Sequence, residues 1–174
     1  MKRNIFISGR PGIGKTTAVL RLSKLMLNIA GGFVTEEIRE GGKRRGFTVR
    51  DLVTGAEGRL AHAAHESDHV VGRYRVDLES FEEVGVRALE DALQRDGLIL
   101  VDEVGRMELF SLEFRRLFTE CLDSDQPVVA TIMLKQEPYA DAIKRRDDVE
   151  LVTIDLANRD TLPNKIQARL QALA

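Results

Sequence analysis

The spacing of apolar residues changes period several times along the chain. NIFIS (4–8) is a continuous apolar run of strand length, and after a glycine-rich stretch Val19, Leu22, Met26 and Ile29 recur at helical spacing. GGFVTEEI (31–38) reads as a second strand. RGFTVRDL and GRLAHAA flank VTG and follow EGGKRRG, so that short alternating segments are punctuated by glycine. They predict an antiparallel hairpin over residues 33–64, inserted in an otherwise regular succession. From Phe81 to Leu93, a helix face is marked by Val84, Ala88, Leu89 and Leu93, and LILV (98–101) has the composition of a strand buried on both sides. LEFRRLFTECL predicts a helix, PVVATIML a strand, PYADAIKRR a short helix, VELVTID a strand and LPNKIQARLQAL a closing helix. Strands alternating with helices predict an α/β fold whose central sheet is mostly parallel and flanked by helices. Neither repeats nor low-complexity linkers divide the sequence, which predicts one domain over 1–174.

A chain of 174 residues buries roughly two thirds of its unfolded surface without help from disulfides or metals. Its net charge of -2, within 31% charged residues, lacks the basic excess of a general nucleic-acid binder, so small molecules are the expected partners. The single cysteine, Cys121, falls at helical spacing in FRRLFTECL and is expected to be a buried apolar residue in a reducing cytoplasm. Met1 leads straight into the first strand, which leaves no room for a signal peptide, and no apolar run approaches the ~18 residues of a membrane span. The expectation is a soluble cytoplasmic monomer.

The glycine-rich stretch between the first strand and first helix is GRPGIGKTT, comprising Gly9, Arg10, Pro11, Gly12, Ile13, Gly14, Lys15, Thr16 and Thr17. It matches GxxxxGK[ST], the P-loop or Walker A pattern, in the strand-to-helix setting which that pattern requires. Glycines let a loop wrap a phosphate chain with its N–H groups pointing inward, and the following helix adds the positive end of its dipole. Lys15 is expected to bridge the β- and γ-phosphates, and the Thr16 hydroxyl to ligate Mg²⁺. LILVDEVG supplies the partner: a buried strand delivers Asp102 to the carboxyl end of the sheet, where it would hold Mg²⁺ as a Walker B acid. Glu103, next to it, is placed to orient or deprotonate an attacking water. The plainer alternative is that both carboxylates end a strand and cap the next helix.

With these motifs the chain resembles the THEP1-type nucleoside triphosphatases. The resemblance rests on GRPGIGKTT, GFVTEEIREGGKRRGF, DEVGRMEL and NRD, and it spans nearly the whole sequence. It implies a RecA-like P-loop domain that hydrolyses ATP, GTP and other nucleoside triphosphates with Mg²⁺ and broad base tolerance. Carried onto this chain, the nucleotide-binding positions are Gly9 to Thr16 and the segment from Leu98 to Gly105, which includes Asp102 and Glu103. The family usually reads DEIGKMEL, whereas Val104 and Arg106 stand here. Arginine for lysine matters if that side chain makes a geometry-specific phosphate contact.

Other side chains have two readings each. Arg39 and Arg44, in the family-like stretch Glu37 to Phe47, either lean over the triphosphate or form a solvated basic turn. Arg145 and Arg146 are either an arginine finger or surface charge. Asn158 and Arg159, after the last strand, either hold the base or cap a helix, and Thr131 either senses the γ-phosphate or serves its strand. His62, His65 and His69 are expected at the surface or on the hairpin rather than on a metal. Three functions remain in play: a nucleoside triphosphatase, favoured by the Asp102–Glu103 pair; a small-molecule kinase, which needs an acceptor pocket; and a nucleotide-dependent switch or binding module.

Overall fold

The structure, a computed structural model, describes residues 2–173. Its first strand, β1 (Asn4–Ser8), leads through the glycine-rich loop into helix α1 (Lys15–Leu25). The long strand β2 (Ile29–Glu40) turns at Gly41 and Gly42 into β3 (Lys43–Asp51), and β4 (Glu57–His62) comes next. Two short strands, β5 (Val70–Val71) and β6 (Tyr74–Val76), precede a helical run of α2 (Leu78–Phe81), a π-turn (Glu82–Val86) and α3 (Arg87–Ala92). Then come β7 (Leu98–Val104), a 3₁₀ turn (Glu108–Phe110), α4 (Leu112–Asp123), β8 (Val128–Ile132), α5 (Pro138–Lys144), β9 (Val149–Thr153) and α6 (Leu162–Leu173).

All nine strands form one sheet, in the order β5-β6-β4-β3-β2-β7-β8-β1-β9. From β2 to β9 every pairing is parallel, and from β2 outward to β5 every pairing is antiparallel. The mostly parallel core expected from the sequence is therefore present. The antiparallel hairpin expected at 33–64 is present too, as the pairing of β3 with β2 and with β4. Its strands continue the main sheet through β2, and β6 and β5 extend it further.

Alternation along each strand divides the core into two layers. Phe6, Phe33, Ile99, Val101 and Ala130 face one way, under the helical run containing α2 and α3 and under α4, where Phe81, Phe114 and Phe118 meet them. Ile5, Ile7, Leu98, Leu100 and Val129 face the other way, against Val19 and Leu22 of α1 and Ile166 and Leu170 of α6. Coverage on both faces explains why β1, β7 and β8 are apolar without a polar face. The aromatic layer is continuous: Phe33 meets Phe81 edge-on at 5.5 Å, and Phe114 stacks on Phe118 at the same distance.

One element departs from its sequence period. The helical spacing ran through Met26 to Ile29, yet α1 ends at Leu25, Met26 is extended and Ile29 opens β2. Pairing of Ile29 with Leu98 overrides the apolar period, and Leu27 is left fully exposed between them.

Candidate active site

The loop after β1 is shaped by contacts that only glycine tolerates. A Cβ on Gly9 would lie 2.7 Å from the Ile154 side chain and 2.9 Å from its carbonyl oxygen. Gly14, with φ at 115°, occupies backbone space that L side chains rarely adopt and sits directly before Lys15, where α1 begins. Ile13 turns its side chain into the core, so it can offer a ligand only its backbone. The Lys15 ammonium curls over the loop and donates to the carbonyls of Gly9 at 2.8 Å and Arg10 at 3.1 Å.

Thr16, in the first turn of α1, donates its hydroxyl to Asp102 Oδ2 at 2.7 Å. Thr131 of β8 donates to Asp102 Oδ1 at 2.6 Å. Residues 86 and 29 positions away in sequence thus converge on one carboxylate, which is only 3% exposed. Burial pushes the Asp102 carboxyl above its ordinary range, against the opposing pull of the two hydroxyls, Lys15 and the Thr35 backbone N–H. Thr131 is accordingly committed to the carboxylate and is more than a strand former. Two oxygens on adjacent corners of a Mg²⁺ octahedron lie about 3 Å apart when each ligand is ~2.1 Å from the ion. The Thr16–Asp102 spacing fits a hydroxyl and a carboxylate on such adjacent corners.

Glu103 is joined to Asp102 by a cis peptide bond and receives no hydrogen-bond donor among the described residues. Its carboxyl is also pushed up, first by burial and then by the charge of Asp102, with Lys15 pulling the other way. A third carboxyl, Glu108, was not singled out from the sequence. It lies in the 3₁₀ turn after β7, is 2% exposed, and is driven well above the carboxylate range by burial and by Glu103. The signal was a charged residue inside MELF, whose neighbours Leu109 and Met107 pack into the core.

A cavity of about 1020 Å³ opens over these groups. It is lined by the loop from Gly9 to Thr17, by Asp102, Glu103 and Glu108, and by residues of the antiparallel half of the sheet. A smaller recess of about 270 Å³ lies behind the loop between Gly14, Thr17, Arg21 and Arg159.

A family model described as NTPase matches residues 4–167. The nucleoside-triphosphatase THEP1 of Thermotoga sp. (strain RQ2) is 47% identical over 96% of this chain and 95% of its own length. The protein of the same name from Thermofilum pendens is 43% identical over 98% and 97%. This chain belongs to the NTPase family. The crystal structure of THEP1 from the hyperthermophile Aquifex aeolicus superposes with a TM-score of 0.85 at 32% identity, covering 96% of this chain and 98% of that one. The solution structure of a human cancer-related nucleoside triphosphatase gives 0.82 at 33% identity, with 98% of each chain covered.

Within this NTPase fold the remaining candidates separate. Arg44 lines the cavity, where its guanidinium donates to the Tyr74 hydroxyl at 2.9 Å and to Glu37 at 3.1 Å. Arg39 instead binds Glu37 and the Gly42 carbonyl at the exposed tip of the β2–β3 turn, away from the cavity lining. Arg106 lines the cavity and forms no hydrogen bond or ion pair among the described residues. Lys135, on the loop after β8, is in the same condition and was missed because no motif surrounds it. Gly105 lies beside Glu103 outside the cavity lining, and its backbone N–H pulls the Glu108 carboxyl downward. Arg10 is exposed and also outside that lining.

Asn158 holds the turn after β9: its amide donates to the Thr153 carbonyl at 2.8 Å and its oxygen accepts from the Asp155 N–H at 2.9 Å. That leaves Arg159 as the member of the pair facing the recess. Neither arginine after α5 lines the main cavity. Arg145 is exposed, and Arg146 is fixed between Asp148 at 2.8 Å and Asp123 at 2.7 Å. The histidines are dispersed, with His62 near Glu40, His65 near Asp77 and His69 against the Phe110 ring. Among the described residues no helix is long and apolar enough to cross a membrane.

Proposed function

We propose that this chain hydrolyses ATP, GTP and other nucleoside triphosphates to the diphosphate and phosphate, using Mg²⁺ and tolerating different bases. The observation that carries the reading is the meeting of Thr16 and Asp102 at 2.7 Å beside the phosphate loop, with the donor-free Glu103 carboxylate next to them. The loop backbone and the dipole of α1 hold the phosphates, and Lys15 exchanges its carbonyl partners for phosphoryl oxygens. Thr16 and Asp102 would hold Mg²⁺, which when bound offsets charge on the phosphoryl oxygens. Glu103, with its oxygens unoccupied, orients a water toward the γ-phosphorus and takes its proton; burial and the neighbouring Asp102 raise its pKa, which makes it a stronger base than a free carboxylate. Arg106 and Lys135 are the unpaired cations on the cavity wall able to meet the γ-phosphoryl group.

The recess at Gly14 and Arg159 supports the reading of base tolerance. Arg159 presents a flat guanidinium that stacks on any base, while the Asn158 amide, which could read a base edge, is engaged in its own turn. Cys121, buried with its thiol pushed up to about 12, fits a reducing cytoplasm, and we place the protein there as a monomer.

The test separates the adjacent carboxylates. Glu103→Gln lowers phosphate release by about 10² to 10⁴-fold while calorimetry still detects Mg-nucleotide binding. Asp102→Asn weakens both. Wild-type hydrolysis by Glu103→Gln would refute the role given to Glu103.

A further inference from the structure

We propose that the far half of the main cavity is a binding compartment for a phosphoryl acceptor, a small flat-ringed molecule bearing a primary hydroxyl, to which the γ-phosphoryl group is transferred in competition with water. The inference rests on the reading that the loop holds a triphosphate.

The direction of the cavity comes first. In the sheet, β9 and the Arg159 recess lie on one side of β1 and its phosphate loop, whereas β8, β7, β2, β3, β4 and β6 lie on the other. A nucleotide whose base uses the recess therefore points its γ-phosphate toward Asp102 on β7. The cavity does not stop there. It continues past Glu103 to Phe47 on β3, Leu60 on β4 and Tyr74 on β6. Four strand spacings separate β7 from β6, or about 19 Å at ~4.8 Å each. An in-line displacement brings its nucleophile to the γ-phosphorus from the side opposite the leaving diphosphate, which is the side on which this compartment lies. The about 1020 Å³ of the cavity spans the glycine-rich loop and this compartment together, so the compartment is the part left beyond a seated triphosphate.

The walls indicate what fits. Phe47 and Tyr74 meet edge to face at 5.3 Å, and Leu60 and Val71 add apolar surface. The Arg44 guanidinium lies 5.4 Å from the Phe47 ring centre and 5.7 Å from that of Tyr74. Two of its five N–H groups are held, Nε by the Tyr74 hydroxyl and one on Nη1 by Glu37, which fixes the plane of Arg44 against the rings and offsets its charge. The half-buried Phe47 ring and this plate select a planar body by stacking, with the buried Tyr74 holding the plate in place. Glu103, between the compartment and the phosphate loop, receives the proton of the acceptor hydroxyl. The hydroxyl oxygen forms a bond to the γ-phosphorus, and the bond from that phosphorus to the bridging oxygen breaks. Its electron pair leaves with the nucleoside diphosphate, so the products are a phosphoester, the diphosphate and one proton.

The experiment monitors Mg-ATP turnover by ³¹P NMR with the full chain, alone and with benzyl alcohol, pyridoxine or uridine, and with glycerol as the ring-free control. The expected result is a ratio of phosphoester to free phosphate at least tenfold above that with glycerol for one or more of the ring-bearing alcohols. Phe47→Ala, and separately Val71→Arg at the rim, lower that ratio at least tenfold; the second keeps the test decisive if the first does not fold. Ratios equal to the glycerol value for all three alcohols overturn the proposal. So does a Phe47→Ala variant whose KM rises for one base and not for others, since the compartment would then hold the base. Phosphate release without any alcohol tests the hydrolytic reading by itself: its absence beside a phosphoester formed with an alcohol would refute hydrolysis and keep the compartment, and the absence of both products would remove both.

Discussion

Glu108→Gln gives the protein a different dependence of stability on pH. Asp102, Glu103 and Glu108 crowd the end of β7, and the carboxyl of each is pushed upward. Glu108 is the one driven well above its reference of 4.5, by burial first, then by Glu103 and Asp102, with the N–H groups of Glu108 and Gly105 offsetting part. A carboxyl whose pKa is raised on folding binds more protons in the folded state than in the unfolded one. Its contribution to stability is therefore complete below the unfolded value and is lost as pH rises toward the folded value. Each pH unit in that window costs about 1.4 kcal/mol. For a chain of this length, that lowers the melting temperature by about 3 to 6 °C per unit. Glutamine keeps an oxygen for the two N–H groups and cannot ionise. In EDTA, the variant and the wild type should melt together near pH 4.5, and the variant should gain progressively as pH rises. The residual slope of the variant belongs to Asp102 and Glu103. Thermal denaturation between pH 4.5 and 8 checks this, and parallel curves would show that Glu108 does not hold the proton assigned to it.

Lys15→Ala removes the charge over the phosphate loop and weakens nucleotide binding by about 2 to 3 kcal/mol; an unchanged dissociation constant in calorimetry would count against the loop assignment. Arg159→Ala raises KM severalfold for ATP, GTP and CTP alike, and an effect confined to one base would contradict recognition by stacking. Arg146→Ala lowers stability by about 1 to 2 kcal/mol in urea denaturation, through loss of its bonds to Asp148 and Asp123, and leaves turnover intact. A loss of turnover with stability unchanged would revive it as a catalytic arginine.

The glycine-rich turn between β1 and α1 and the place of Asp102 near the end of β7 were legible because their signals are local: glycines at fixed spacing, and an apolar run that ends in a carboxylate. For the same reason NIFIS and LPNKIQARLQAL coincide with β1 and α6. The antiparallel edge was not legible, since β5 and β6 have only 2 and 3 residues and are too short to show a period. Arg39 and Arg44 looked alike in sequence. They sit opposite each other across the turn, beside a bulge at Ile38 and Arg39, and only Arg44 reaches the cavity. The Glu108 carboxyl was hidden for another reason. Its burial comes from packing of distant elements, and its place inside MELF was the one local sign of it.

Because β2 pairs parallel with β7 along one edge and antiparallel with β3 along the other, it joins two regions with different freedom to vary. On the β7 side, the length of every segment is fixed by the need to bring Thr16, Thr131 and Asp102 to one point. On the β3 side, the connections turn back on themselves at Gly41–Gly42 and at Leu52–Ala56, far along the chain from that convergence. Residues added or removed at the β5–β6 turn, where Val71 and Gly72 line the cavity, would reshape one end of it without moving the glycine-rich loop. Relatives could thus diverge in what they accommodate at that end while the chemistry at the other stays the same.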